Sequence, residues 1–318
     1  MRLIPLLLPL ILLMGFIQDG DAQTCCSAGA PILSALEVNT TAAGQWQIGF
    51  QYDYNDIRDV YSQSTKIEGL RRRVTQTGLL DVSFGLNTHW AFTALFSWVQ
   101  HHRRLNRKNI NGSIEGLSVR GSGDVLLMTK YTILPLDIIN QRQLAVGLGV
   151  KIPLGKSDLR QNDILLSADM QPGTGSWDYA GWLFFSQGFR GAVPFVLFLN
   201  TSFRLNGTNN RFQVDDARFN SYRFGNVLSV TAGAAYNASE LVDISLRLQV
   251  RKTVRDEFAG SAIPNTGGTW VYASPGINFN IKPFTWRASV RLPLYRQLNE
   301  IQLSTSYVVS TGLIYTIE

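Results

Sequence analysis

Apolar and polar residues alternate along much of this chain, and residues 242–251 (VDISLRLQVR) show the alternation without interruption. In an extended strand, successive side chains point to opposite faces of the sheet. The apolar side chains therefore share one face, and Asp243, Arg247 and Arg251 share the other with two neutral polar residues. In a soluble sheet the apolar face contacts a protein core. In a membrane barrel it contacts lipid, and the polar face lines the interior. One strand does not distinguish the two folds.

The same alternation recurs in about twelve segments, each close to the roughly 9–11 residues that a tilted membrane strand needs. Stretches with the three-four spacing of an amphipathic helix are few, so the pattern predicts an all-β chain. The segment around 242–251 extends over 241–254. The other predicted strands are 45–54, 73–84, 89–99, 122–133, 142–152, 177–188, 194–204, 225–236, 269–279, 284–294 and 300–317.

Short and long connections alternate between these strands. The short ones lie near 86–88, 134–141, 189–193, 237–240 and 281–283, and the long polar ones are 55–72, 101–119, 153–176, 205–222 and 255–268. Bacterial outer-membrane barrels have short periplasmic turns and longer outside loops. We therefore predict one transmembrane antiparallel β-barrel over residues 45–318, with both ends in the periplasm. A soluble all-β barrel or sandwich is the alternative fold.

Aromatic residues lie near the ends of the predicted strands more often than near their centres. Amphipathic rings prefer the two membrane interfaces, where they form girdles. Ordinary core aromatics, which are the alternative, would show no such preference. The predicted girdle residues are Trp46, Tyr52, Trp90, Trp98, Trp177, Trp270, Tyr272, Trp286, Tyr295, Tyr307 and Tyr315.

The first residues have the layout of a secretory signal peptide. Arg2 precedes an apolar run through Ile17, and small residues surround Ala22. A membrane-anchoring helix is the alternative, but the run is shorter than the roughly 20 apolar residues of a spanning helix and contains prolines. We predict a signal peptide at 1–22, a periplasmic segment at 23–44, and export to the bacterial outer membrane.

The net charge of +6 raises the question of a nucleic-acid partner. The arginines are mostly isolated at alternating strand positions, and Arg71–Arg73 is the one tight run. A nucleic-acid surface instead clusters its basic residues on one face. We therefore expect membrane lipid and small-molecule solutes as partners, and no nucleic acid. The oligomeric state is not predicted.

Charged residues on the polar faces define a candidate lumen site. Four arginines are predicted to form an arginine wall on two adjacent strands, whose field would favour anions. The other inward charges are candidates for structural pairing or for substrate binding, and an Arg–Asp ladder that plugs the lumen is the alternative. The arginines are Arg247, Arg251, Arg287 and Arg291, and the other charges are Asp124, Lys130, Lys151, Asp178 and Asp243.

The sequence contains one pair of adjacent cysteines, Cys25 and Cys26. Such thiols can bind a soft metal such as Cu(I) or Zn, or they can form an inert or partner-linked pair. No zinc-type spacing, phosphate loop or nucleophile motif is present. We therefore expect neither a cofactor nor an enzymatic activity.

Three short stretches carry a family resemblance. They are Gly121–Asp124 (GSGD) followed by Lys130-Tyr131, Gly147–Gly155 (GLGVKIPLG) and Gly173–Asp178 (GTGSWD). In this order they resemble the outer-membrane family named for the meta-pathway of phenol degradation, which is related to FadL-like transporters of hydrophobic compounds. The style of the chain is similar to that of Bacteroidetes-type outer-membrane proteins. The resemblance covers about the middle third of the chain and implies a barrel that moves small molecules.

The sequence therefore predicts an outer-membrane channel for the passive passage of small molecules. The resemblance implies hydrophobic or aromatic solutes, which need an apolar track, and Leu126, Met128 and Ala145 offer a short one on the inward face. The arginine wall instead favours anionic solutes. A structural or interaction barrel with a plugged lumen is the alternative function.

Overall fold

The computed structural model describes residues 41–69, 71–108, 114–137, 142–191, 193–215 and 218–317. The predicted signal peptide, most of the predicted segment 23–44, and the pair Cys25 and Cys26 lie outside these residues and stay predictions. Strands make up most of the described chain. In the described part, no helix has the length and apolarity that crossing a membrane requires.

Twelve long strands build the barrel, and the short strands lie in its connections. A single 3₁₀ turn is described, at Ala168–Met170. The barrel strands are β1 (Trp46–Ser62), β3 (Arg72–Gly85), β4 (Trp90–Lys108), β5 (Ile114–Leu134), β6 (Arg142–Ile152), β9 (Asp178–Phe189), β10 (Phe195–Leu205), β13 (Val227–Asn237), β14 (Val242–Thr253), β17 (Gly268–Ile281), β18 (Phe284–Leu298) and β19 (Ile301–Ile317). The short ones are β2 (Thr65–Ile67), β7 (Arg160–Gln161), β8 (Ile164–Leu165), β11 (Thr208–Asp215), β12 (Arg218–Arg223), β15 (Glu257–Phe258) and β16 (Ser261–Ala262).

The barrel is closed by pairing of its first and last strands. Each barrel strand is antiparallel to its neighbours, and β1 pairs with β19 from Trp46–Ile317 to Ser62–Ile301. Closure pairs the two edge strands of the sheet with each other, because hydrocarbon does not tolerate a free sheet edge. Because the described barrel strands are even in number, the chain begins and ends its barrel at the same rim. The prediction of an antiparallel barrel of about twelve strands is confirmed.

The outer face of the barrel is apolar. On β14, Ile244, Leu246 and Leu248 are 50%, 52% and 50% exposed, whereas Arg247 between them is partly buried. Every other barrel strand also presents exposed apolar or aromatic side chains on its outer face. A soluble protein does not expose a continuous apolar belt of this kind. The apolar face therefore contacts lipid, and the soluble alternative is wrong.

Most of the predicted girdle residues are exposed on the outside of the protein, and two point into the barrel. Trp46, Trp90 and Trp98 lie on the outer face and are exposed. Trp270 and Tyr272 instead point into the barrel and are almost completely buried. Their side chains follow the register of β17, which pairs Trp270 with the inward Arg251. They fill the interior of the barrel at this height and do not anchor it in the membrane.

The long connections fold together at one rim, which is the extracellular rim of an outer-membrane barrel. Strands β11, β12, β15 and β16 form a four-stranded sheet there. Its apolar residues Phe212, Tyr222 and Phe224 cluster with Ala168 of the connection 153–177. We call the connections 153–177, 206–226 and 254–267 the cap. The predicted long loop 101–119 is different, because β4 continues to residue 108 and β5 begins at residue 114.

A buried carboxylate ties two connections of the cap together. Asp256 accepts hydrogen bonds from the Tyr222 hydroxyl and the Gly225 amide, both at 2.8 Å. Burial raises the pKa of Asp256 to about 6, although these two hydrogen bonds oppose the rise. The folded cap therefore binds this proton more tightly than the unfolded chain does.

One ladder of the barrel wall is short. Strands β18 and β19 pair only from Phe284–Tyr315 to Arg291–Val308, although both continue toward the extracellular rim. Arg296 lies where the ladder has ended. Its guanidinium donates to the Thr305 carbonyl at 2.6 Å and to the Tyr61 hydroxyl at 2.7 Å. The Arg296 side chain thus joins two wall strands whose backbones are not paired there.

Candidate functional site: the barrel interior

The interior has one apolar wall. Strands β3 to β13 direct a cluster of buried apolar side chains inward, much larger than the three residues predicted from the sequence. The additional members also lie at inward positions of the alternating strands. The predicted interior residues were mostly charged, so these apolar ones were missed. The cluster is Leu79, Leu95, Leu126, Met128, Ala145, Ala180, Trp182, Phe184 and Val227, with Phe198 packed against it.

The predicted arginine wall lies on the other side of the barrel. Arg247 and Arg251 point inward from β14, and Arg287 and Arg291 point inward from β18. The prediction that these two strands are adjacent is wrong, because β17 forms a barrel strand between them and pairs with both. Two strands apart, the backbones of β14 and β18 are separated by about 10 Å. Long arginine side chains still reach the same space across that distance.

Arg251 differs from the other three arginines. Its guanidinium lies 4.4 Å from the ring centre of Trp270 and 5.7 Å from that of Tyr272. Such cation–π contacts hold a cation against the wall and stabilise it without a carboxylate. The position of Arg251 is therefore that of a structural residue, stacked on the aromatic pair that the girdle prediction misplaced.

A cavity of about 460 Å³ lies between the two walls. Arg247, Arg287 and Arg291 line it on one side, and Phe184 and Phe198 line it on the other. Two acidic residues, Asp81 and Asp243, also line it, so three arginines against two aspartates leave one net positive charge. We call this space the interior cavity. Neutral polar residues complete its lining: Gln47, Gln51, Gln143, Ser186, Asn237, Ser245, Asn278, Asn280, Thr285, Ser289, Ser310 and Thr311.

The position of one aromatic ring in the interior cavity depends on a glycine. Gly233 of β13 pairs with Phe198 on one side and with Arg247 on the other. A Cβ at Gly233 would lie 2.3 Å from Cζ of Phe198. The missing side chain therefore allows the Phe198 ring to lie across the wall, toward the strand that carries Arg247. The Phe198 ring thus lies over the strand that separates β10 from the strand of Arg247.

The two carboxylates of the interior cavity accept hydrogen bonds from neutral donors. Asp243 accepts from Asn237 at 2.6 Å and from Asn280 at 2.7 Å, while Asp81 accepts from Ser83 at 2.8 Å. In the same lining, the Nε atom of Arg287 has no hydrogen-bond partner among the described residues. A donor of this kind, buried beside open space, is suited to an anionic group of a solute.

The remaining predicted charges cluster at the extracellular end of the interior. Lys151 is almost completely buried, and its Nζ lies 2.7 Å from Asp124 and 2.8 Å from Asp178. Thr174 donates from both its hydroxyl and its amide to Asp124, at 2.8 and 3.0 Å. The Lys151 ammonium also contacts the Thr174 hydroxyl. We call Asp124, Lys151, Asp178 and Thr174 the lysine latch, because it fastens the connection 153–177 to three barrel strands.

The connection 153–177 covers the end of the interior. Arg73 of β3 donates to the Asp169 carboxylate at 2.9 Å, and both side chains are buried. Met170, the next residue, has no exposed surface. These contacts come from β3, which lies two to four strands along the wall from the strands of the lysine latch. The connection is therefore held at two places above the interior cavity.

Lys130 is the last predicted inward charge. Its Nζ lies 4.9 Å from the ring centre of Trp182, within the apolar wall. Trp182 in turn stacks on Phe184, with ring centres 5.9 Å apart and an interplanar angle of 2°. Lys130 thus lies outside both the lysine latch and the residues that line the interior cavity.

No candidate metal centre is found among the described residues of the interior. The described part of the chain contains no group of three or more His, Cys, Asp and Glu side chains placed to hold an ion. The expectations of no cofactor and no enzymatic activity stay predictions, as does the proposal of a metal at Cys25 and Cys26.

Comparison with known proteins concerns the fold. No family model and no curated protein matches the chain. Among solved structures it is similar to the COG4313 outer membrane channel from Pseudomonas putida F1, with 11% sequence identity, a TM-score of 0.67, and coverage of 87% of this chain and 97% of that one. The NanC porin shares 10% identity, with a TM-score of 0.46 over 84% of this chain and 98% of that one. The Pseudomonas putida toluene transporter TodX shares 9%, with a TM-score of 0.41 over 89% and 93%.

At 11% identity, the similarity to the COG4313 channel establishes a shared architecture. This chain has the fold of a bacterial outer-membrane β-barrel. Its assignment to a meta-pathway family stays a prediction from the glycine-rich stretches, all three of which contribute to the lysine latch. Its Bacteroidetes-type character stays a prediction from the style of the chain.

Proposed function

We propose that this chain is an outer-membrane channel through which small molecules cross passively, with aromatic or anionic solutes preferred. The observation that carries the proposal is the interior cavity, a space of about 460 Å³ inside a closed membrane barrel. Binding sites for small molecules usually have volumes of about 300–1,000 Å³ and combine apolar side chains with a few polar groups. A barrel whose only role was structural would not need such a space.

The connection 153–177 gives this channel a closed extracellular end. A solute from outside has to pass the lysine latch and the pair of Arg73 and Asp169 before it reaches the interior cavity. Displacement of the connection opens that route without rupture of any barrel strand. We infer that the latched connection is the gate and that the wall is a fixed scaffold.

Flux into liposomes tests the proposal. Protein reconstituted into vesicles should admit small aromatic acids and alcohols faster than protein-free vesicles, and should exclude solutes much larger than the interior cavity. Deletion of the gene should slow uptake of the same solutes by cells. Equal flux with and without protein, together with normal uptake after deletion, would contradict the channel.

A structural barrel with a plugged lumen is the second candidate. The buried lysine latch favours it, because buried ion pairs with several hydrogen bonds can fix one conformation. The two functions differ in one measurable respect. A permanent plug makes the vesicles impermeable whether or not the latch is intact, whereas a gate makes their permeability depend on it.

A further inference from the structure

We propose that the interior cavity binds an aromatic carboxylate, with the carboxylate on the arginine wall and the ring against Phe184 and Phe198. The inference rests on the proposed function only in placing this ligand among the transported solutes. It narrows the class of transported solutes to molecules that carry both an aromatic ring and a carboxylate.

The arginine side supplies the anion contacts. Arg247, Arg287 and Arg291 all line the interior cavity and come from two different strands. A guanidinium binds a carboxylate through two parallel hydrogen bonds, which fix orientation as well as charge. The carboxylates already present, Asp81 and Asp243, accept hydrogen bonds from neutral Ser and Asn donors. The net positive charge of the lining therefore favours one additional anionic group.

The aromatic side supplies a flat apolar surface. The Phe184 ring stacks on Trp182, which holds it in place. The Phe198 ring lies across Gly233, on the strand next to Arg247. Aromatic pairs are favourable in offset or edge-to-face arrangements with centres about 4.5–7 Å apart. Because Arg247 pairs with Gly233 from the next strand, a solute ring placed beside Phe198 can direct its carboxylate toward Arg247.

Molecules that carry only a ring or only an anionic group fit this site less well. A purely apolar aromatic molecule would displace water from the arginines without replacing their hydrogen bonds, which is unfavourable for buried charged donors. A small hydrophilic anion would contact the arginines but offer no ring to pack against the two phenylalanines. A compact aromatic acid satisfies both walls within the volume of the interior cavity.

Equilibrium binding to the detergent-solubilised full chain tests the inference. The probes are benzoate, benzyl alcohol and acetate, measured by titration calorimetry. We expect benzoate to bind at least tenfold more tightly than either of the others, since a hydrogen bond to a charged group and burial of a ring each contribute about tenfold or more. Equal affinity for benzoate and benzyl alcohol, or for benzoate and acetate, would overturn the proposal.

Two pairs of variants locate the site. Arg247→Gln should weaken benzoate binding about tenfold or more, while Lys252→Gln, on the outer face of the same strand, should not change it. Phe198→Ala should also weaken it, while Phe203→Ala, which faces outward from the same strand, should not. Migration of unheated samples on gels shows that each variant is folded. Benzoate binding that survives both cavity substitutions would refute the site.

Failure of this inference and failure of the proposed function are distinguishable. Binding in detergent does not require the barrel to conduct. Flux without selective benzoate binding would support the channel and contradict the aromatic-acid site. Selective binding without flux would support the site and contradict the channel.

Discussion

Removal of the Asp124 carboxylate should release the connection 153–177 from the barrel. The carboxylate accepts four hydrogen bonds, from Lys151 at 2.7 Å, from the Thr174 hydroxyl and amide at 2.8 and 3.0 Å, and from the Gly155 amide at 3.1 Å. Loss of one partner of a buried ion pair costs about 3–5 kcal/mol. We use the lower end of this range, about 3 kcal/mol, because water can reach the released groups. A cost of that size raises the population with the connection open about a hundredfold.

Thiol labelling measures this opening directly. In a background with Cys25→Ser and Cys26→Ser, the substitution Met170→Cys places a reporter thiol at a position with no exposed surface. Asp124→Ala should accelerate its labelling about a hundredfold, because labelling follows the open population. Asp158→Ala, an exposed residue of the same connection, is the matched control and should leave the rate unchanged. An unchanged rate in a folded Asp124→Ala barrel would refute the latch.

Three further predictions concern the cap, the wall and the lumen. Because burial raises the pKa of Asp256 to about 6, the folded cap binds this proton more tightly than the unfolded chain, whose carboxyl has the ordinary value of 3.8. Cap stability should therefore fall as the pH rises from 3.8 through about 6. Proteolysis of the cap by a protease active over this range should show the trend, and Asp256→Asn should abolish it. Arg296→Ala should lower the temperature at which the barrel unfolds on heated gels, because it removes the hydrogen bonds to Tyr61 and to the Thr305 carbonyl, whereas the exposed Arg104→Ala should not. If the pore conducts, Arg287→Ser should reduce its anion preference, measured as a reversal potential, and added salt should weaken that preference in the parent protein because the screening length is about 10 Å at 0.1 M. An unchanged reversal potential in Arg287→Ser would contradict the role of the arginine wall.

The sequence predicted the barrel well because alternation is a local property. Ile244 and Arg247 point to opposite faces in any extended strand, and the repetition of this pattern leaves only the choice of solvent open. The alternation of short and long connections resolved that choice. The same argument placed Lys151, Asp178 and the four arginines on the inner face without any knowledge of their partners.

The arrangement inside the barrel was less accessible from the sequence. Strand order and register decide which inward residues meet. The strand β17 lies between β14 and β18, which were predicted to be adjacent. Trp270 shows a second limit, because a tryptophan near a strand end suits both a membrane girdle and a filled interior. Phe198 lies across Gly233 because of a pairing between β10 and β13 that no local pattern specifies.

The fold of the connection 153–177 is the largest feature that the sequence pattern did not predict. Its polar, glycine-containing sequence predicts a loop, and the structure folds that loop back over the barrel interior. Gly155 and Gly173 approach so closely that a Cβ on Gly173 would lie 2.5 Å from the carbonyl carbon of Gly155. The glycine-rich stretches behind the family resemblance therefore have a physical role here. They allow two chain segments to touch beside the lysine latch.

Single-channel recording in planar lipid bilayers tests the central claim most directly. Folded wild-type protein should give discrete conductance steps, and Asp124→Ala should spend a larger fraction of time in the conducting state, because the connection 153–177 is then released from the lysine latch. Stable zero conductance in both proteins, with each shown to be folded by its migration on unheated gels, would contradict a channel and leave a plugged structural barrel.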